Sequence, residues 1–271
     1  MSTSKTSAVE FYDNFIPKMT YDFLRPNKRI ASAISFVLEH LSQDADRVLD
    51  IGCGLGWSSK EFARNTKAEV VAVDLSPKLI ELAVDLFGTD HARYEVKNVN
   101  DGFDEAKTFS SVVMIDVFEH IEKENREKFI LDIKRMLSPQ FQIFFTCPTI
   151  AHQNYLREFK PEGLQPVDED VSREDIDEIA KTLGGELVHF EELSVFREMD
   201  YFHAIISNFE ATPAASFQLL SKEERVKTLV DFKRNVLKKE ITFWDKWWFR
   251  FPKHGHDLIS GGRKSKKIKG W

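Results

Sequence analysis

Cysteine is nearly absent from this sequence. Only Cys53 and Cys147 occur among 271 residues, which excludes a disulfide-stapled scaffold and makes a reducing cytosol the expected setting. Long apolar runs are missing too. No stretch reaches the roughly 18 residues that a membrane-spanning helix requires, and residues 1–10 lack the charged-then-apolar pattern of a secretory signal. There is no internal repeat and no low-complexity tract. A generally basic surface is also lacking, since the net charge is −6. Eight Lys and Arg against one Asp fall between Lys246 and Trp271, so the rest of the chain is strongly acidic. Such a body argues against a nucleic-acid surface across the main domain, because phosphate binding needs a basic footprint. What is abundant is phenylalanine, with 23 residues, which points to a large core or an aromatic-lined pocket. The length suits one large domain.

Hydrophobic periodicity divides the chain. Phe11, Phe15 and Met19, then Ile30, Ile34, Leu38 and Leu41, follow a helical spacing that breaks near Pro26. The period then changes. Short β-type runs are predicted at Arg47–Ile51, Glu69–Asp74, Arg93–Val99, Ser110–Ile115 and Gln142–Thr146, with helical segments between them. Ser76-Pro77 opens one of these with a capping residue and a proline at the first position. Alternation of strand and helix with short links is the pattern of a doubly wound, mostly parallel α/β sheet. A polar, proline-bearing loop is expected over Pro148–Val171. Beyond it come a helix from Ser172 to Gly184-Gly185, two last strands at Leu187–Leu193 and Tyr201–Ser207, and a helix from Lys222 to about Leu237. The expected organisation is thus a helical cap (1–45), a seven-stranded sheet domain (46–210) and a C-terminal helical and aromatic extension with a basic tail (211–271).

The strongest motif is Asp50-Ile51-Gly52-Cys53-Gly54-Leu55-Gly56, directly after a strand and before a helix. Its glycines let the backbone turn sharply and come close to a ligand at the carboxyl end of the strand. A dinucleotide site would require a third glycine where Trp57 or Ser59 stands, and Asp50 would repel a pyrophosphate. S-adenosylmethionine carries a sulfonium and an ammonium instead, so a carboxylate here favours the methyl donor. Asp74 agrees: it ends the second strand, 22 residues after Gly52, at the distance from which an acid accepts both ribose hydroxyls. Strands three and four also end in polar residues, Asn98 and Asp116.

The ordered set of Val48–Gly56, Val73-Asp74-Leu75-Ser76 and Asp116-Val117-Phe118-Glu119-His120-Ile121 resembles the first, second and fourth motifs of class I S-adenosylmethionine-dependent methyltransferases. The likeness is nearest to the subgroup holding ubiquinone-biosynthesis O-methyltransferases and natural-product O- and N-methyltransferases, and covers roughly Arg47 to Ser207. The resemblance implies a Rossmann-like fold and an enzyme that methylates a small molecule on O or N. Gly52 and Gly54 would line the methionine moiety, Asp74 would hold the ribose, Asn98 and Val99 would flank the adenine, and the backbone near Ile115 would face the methionine end; Asp50, Gly56 and Leu75 complete the expected donor-binding set.

His120, just after the fourth strand, has a pKa suited to taking a proton from the methyl acceptor; it also suits a helix-start packing role. Asp116, Glu119 and His120 match the spacing of a metal site in some quinone O-methyltransferases, but solvated acids at a helix start are the plainer reading, and no metal is expected. Cys147, in a Thr-Cys pair resembling that of RNA cytosine methyltransferases, reads better as a small buried residue. The acceptor would lie under the N-terminal helices and the 148–171 loop, near Phe11, Tyr12, Tyr21, His152, Tyr155 and Arg157. Two rival readings remain: a macromolecule-directed enzyme using the basic tail, and a non-catalytic cofactor binder. The aromatic and basic run of 241–271 either packs on the fold or lies on an anionic membrane surface, and the sequence leaves the oligomeric state open.

Overall fold

A computed structural model describes residues 3–88, 91–102, 108–213 and 215–235. Seven strands, β1 (Arg47–Ile51), β2 (Glu69–Asp74), β3 (Ala92–Val96), β4 (Phe109–Ile115), β5 (Leu137–Pro148), β6 (Glu186–Leu193) and β7 (Tyr201–Ser207), form one sheet in the order β3-β2-β1-β4-β5-β7-β6. Pairings from β3 through β5 are parallel, whereas β7 runs antiparallel to both β5 and β6. The strand order therefore reverses between β1 and β4, which in open α/β sheets opens a crevice beyond the carboxyl ends of the strands.

Continuous apolar strands make this sheet a buried layer. All five residues of β1 and all seven of β7 are buried, as expected when helices cover both faces. Alternation along β5 sends neighbours to opposite cores. Phe144 joins α2 (Lys28–His40), α3 (Trp57–Asn65) and α4 (Pro77–Phe87), while Phe145 joins α5 (Lys123–Met136) and α7 (Arg173–Leu183). The N-terminal α1 (Thr3–Leu24) and the last helix, α8 (Lys222–Asn235), add Phe23, Leu24, Leu229 and Phe232 to the first core. Ser76 caps α4 by accepting from Leu79 N, with Pro77 at the first helical position. Ser172 and Asp175 form a reciprocal capping box on α7, which stops at left-handed Gly184.

Two expectations are corrected. Strand β5 begins at Leu137, directly after α5, rather than at Gln142. Its first four residues are half-buried or exposed, so their polar sequence looks like a turn. The 148–171 segment is not one loop: it contains α6 (Ile150–Phe159), capped by Thr149 accepting from His152 N. Gln153 is the single buried residue of that helix, so no apolar stripe announces it. Among the described residues no helix is long and apolar enough to cross a membrane. The run 241–271, to which the membrane reading applied, lies outside the described residues, as does the end of the predicted helix beyond Asn235.

Candidate functional site

The crevice begins at the loop between β1 and α3. Gly52, Gly54 and Gly56 all have positive φ, at 70°, 56° and 89°. Two of these positions are also sterically closed. A Cβ on Gly52 would sit 2.4 Å from Val117 Cγ2, and one on Gly56 would sit 2.8 Å from Tyr94 Cε1. The loop is tied to β2, since Gly52 N and Cys53 N both donate to Val73 O, at 2.8 and 3.1 Å. Asp74, at the end of β2, accepts from Gly54 N and from Ser76 N, both at 2.9 Å. The carboxylate is thereby aimed across the loop, and burial raises its pKa against the pull of these donors. Asp50 lies beneath the loop, buried, and accepts from the hydroxyls of Ser58 and Ser59 at 2.7 and 2.6 Å. Burial pushes Asp50 up to about 6 despite those bonds.

The neighbouring strand ends close in on either side. Lys97 N donates to Asp74 O, which sets Asn98 and Val99 beside the second strand's end. At the other flank Ile115 precedes Asp116, whose φ of 52° is left-handed. A non-glycine residue held there marks local strain of the kind that clusters at functional sites. Asp116 pairs with the guanidinium of Arg29, brought in by α2. Beyond it, the short 3-10 turn Phe118–His120 carries Glu119 and His120 inward. Arg126 fixes that turn from α5, with its guanidinium 4.7 Å from the Phe118 ring centroid.

His120 is held from two sides. Its Nδ1 lies 2.7 Å from Val167 O and 3.2 Å from Asp168, and its Nε2 lies 3.8 Å from Glu119. Burial alone would lower the imidazole pKa, but the Glu119 and Asp168 carboxylates override it and push it up to about 9. Burial raises Glu119 to about 7, with His120 opposing. At neutral pH His120 therefore already carries a proton, and the general-base role read from the sequence is open to it only above about pH 9. The sign of the linkage follows. A raised histidine pKa adds stability that is full below the unfolded value of about 6.5 and is lost as pH rises through about 9. Urea unfolding should thus show a decline on the order of 2–3 kcal/mol across that window, and Asp168→Asn should flatten it.

The segment 150–171 and β7 complete the far wall. Tyr12 of α1 is surrounded electrostatically by Asp74, Glu119 and Asp168, and burial with these carboxylates drives its hydroxyl pKa up. The rings of His152 and Tyr201 are 5.3 Å apart, and Arg29 lies 5.4 Å from the Tyr201 ring centroid. Gln153 donates to Asp168 at 3.4 Å. Among the described residues no group of three His, Cys, Asp or Glu is arranged to hold a metal ion. Cys147 is wholly buried, and that burial raises its thiol pKa far up, so it behaves as a core residue.

Residues 48–140 match the sequence profile of a methyltransferase domain family. They belong to a methyltransferase domain. The chain is 31% identical over 117 residues to a ubiquinone biosynthesis O-methyltransferase of Xanthomonas oryzae, covering 42% of this chain and 47% of that one. It thus spans about half the length of the ubiquinone relatives it matches. Norajmaline N-methyltransferase of Rauvolfia serpentina is 23% identical over 209 residues, covering 66% of this chain and 70% of the relative. The chain shares its fold with the solved DhpI–SAH complex, at a TM-score of 0.59 and 16% identity, over 79% of this chain and 100% of that one.

The motif residues named from the sequence do gather at one end of this domain's sheet. The acceptor-side expectations divide: Tyr12 and His152 lie by the crevice wall and Tyr155 is next to His152, whereas Phe11 packs against Tyr12 and Phe15, Tyr21 is 38% exposed, and Arg157 donates to Asp170 and to the Asp168 carbonyl. Arg29, Gln153, Asp168 and Tyr201 were not singled out. Asp168 sits in an acidic run that reads as a solvated turn, and Gln153 lies on a helix that has no apolar period.

Proposed function

We propose that the protein transfers the methyl group of S-adenosylmethionine to an O or N nucleophile of a small molecule. The observation that carries this reading is the Asp74 carboxylate held by Gly54 N across a loop whose φ values and close contacts admit only glycine at positions 52 and 56. That cradle fits the donor. Asp74 would accept the ribose hydroxyls, with Leu75 beside it; Gly52, Gly54 and Gly56 would pass the methionyl chain; Asn98 and Val99 would flank the adenine. Ile115 would face the sulfonium end, with Asp50 a buried negative charge below the loop.

When bound, the donor supplies a methyl group on a positively charged sulfur, which leaves as a neutral thioether. The protein's tasks are therefore to align the nucleophile behind that methyl and to manage the nucleophile's proton. Relatives are named for ubiquinone biosynthesis and for norajmaline, and this supports a small-molecule acceptor here. Calorimetry tests the donor assignment. S-adenosylhomocysteine should bind with micromolar-range affinity, and Asp74→Ala should weaken it by roughly 1.5–3 kcal/mol, the value of lost charge-assisted hydrogen bonds. Tight binding of NAD with no heat from S-adenosylhomocysteine would overturn the assignment.

A further inference from the structure

Five buried polar atoms at the far end of the crevice have no hydrogen-bond partner among the described residues: Asp116 Oδ1, Glu119 Oε2, Thr146 Oγ1, His152 Nδ1 and Gln153 Oε1. They belong to one connected group. Asp116 N donates to Thr146 O, Asp116 pairs with Arg29, and Arg29 lies by Tyr201, whose ring is tilted against that of His152. Glu119 faces His120, which is bonded to Asp168, which accepts from Gln153. Glu119, Thr146 and Gln153 are each at least 98% buried. An unpaired polar atom so placed costs about 1–3 kcal/mol, so five together mark a place where a ligand completes the bonding.

The chemistry of the free atoms defines that ligand. When ionised, Asp116 and Glu119 can only accept through their carboxylate oxygens, as can the amide oxygen of Gln153. Thr146 and the neutral His152 can accept or donate. None of the five can only donate. The two cations of the group are already engaged, Arg29 by Asp116 and His120 by Asp168 and the Val167 carbonyl. With Glu119 in the ionised form that a base requires, three carboxylates (Asp116, Glu119 and Asp168) stand against those two cations. The missing ligand must therefore bring several donors and a positive charge.

We propose that the methyl acceptor is an amine that enters as its ammonium ion, and that Glu119 takes the proton freeing its lone pair. This rests on the donor assignment made above. A phenol or alcohol brings one donor and, on losing its proton, puts a negative charge against the acidic wall. An ammonium brings several N–H donors and a charge of the right sign. Glu119 Oε2 accepts one proton and becomes the neutral acid. The freed nitrogen lone pair then forms the new N–C bond as the C–S bond breaks, and that electron pair stays on sulfur as the neutral thioether. The product leaves as a methylated ammonium, and Glu119 returns its proton to solvent. Burial sets the carboxyl near the pH at which a general base works best, and His120 is its positioning partner.

The test uses the full-length protein, labelled S-adenosylmethionine and two matched probe sets: benzylamine, phenethylamine and tryptamine against benzyl alcohol, phenol and catechol. Label should pass to the amines at least about tenfold faster than to the oxygen set, and Glu119→Gln should lower that transfer about 100-fold or more. Calorimetry on the complex with S-adenosylhomocysteine supplies an independent readout. Amines should bind at least about tenfold more tightly than the matched alcohols, and Glu119→Gln should remove that preference while leaving S-adenosylhomocysteine affinity within about threefold. If neither set accepts label, that binding preference decides the matter. Preferred transfer to the oxygen set, equal binding of the two sets, or an amine preference that survives Glu119→Gln overturns the proposal. Failure of S-adenosylhomocysteine itself to bind would instead strike the donor assignment.

Discussion

Replacing Phe145 with alanine is expected to destabilise the protein by about 3–5 kcal/mol, the usual range for truncating a fully buried phenylalanine in a core that cannot collapse. Phe145 is 0% exposed at the centre of β5, and its ring meets Phe118 edge-on at 5.5 Å. Phe118 begins the turn that carries Glu119 and His120, and it packs on Phe129 of α5 at 6.3 Å. The cavity therefore opens directly beneath the acidic wall. Denaturant unfolding measures the loss. A cost below about 1.5 kcal/mol would mean that Phe118 and Phe129 move in to fill the space. In that event the turn should shift with them, visible as changed chemical shifts at His120.

Gly56→Val should be nearly as costly, at about 2–5 kcal/mol. A left-handed backbone costs a residue with a Cβ roughly 1–2 kcal/mol, and forcing extra atoms into a packed site adds about 1–3 kcal/mol. Here those atoms meet Tyr94 Cε1 at 2.8 Å and Ala83 Cβ at 3.0 Å, and both neighbours are buried. Gly184 provides the contrast. It has nearly the same φ, 83°, but nothing lies within 4 Å of an added Cβ. Gly184→Ala should therefore lose only about 1–2 kcal/mol, the backbone component alone. Comparing the two variants by urea unfolding separates strain from crowding; equal losses would show that Tyr94 and Ala83 give way freely.

Much of the proposed donor side was legible because its signals are local. Gly52, Gly54 and Asp74 lie within one strand–helix–strand unit, and the bond between Gly54 and Asp74 spans only 20 positions. The central strands β2, β4 and β7 announced themselves because burial on both faces favours apolar runs. The start of β5 and the whole of α6 escaped for the opposite reason, since both are largely exposed and so lack periodic pattern. The proposed acceptor side escaped more thoroughly. Asp116 meets Arg29 across 87 positions and His120 meets Val167 across 47. His120 could be picked out as functional, yet its charge state is set by Asp168, a residue whose surroundings in the sequence resemble a solvated turn.

The single antiparallel strand has a consequence for the order in which the protein assembles. In the parallel part of the sheet only strand endings reach the crevice, but β7 runs the other way and presents its beginning, setting Tyr201 opposite Pro148 of β5. The glycine loop and Asp74 need only neighbours close along the chain, so their contacts form at small cost in loop entropy. The opposite wall waits for a strand more than fifty residues after β5 to arrive and pair. A nascent chain of this protein is thus able to shape its donor loop well before it can close a compartment around an acceptor.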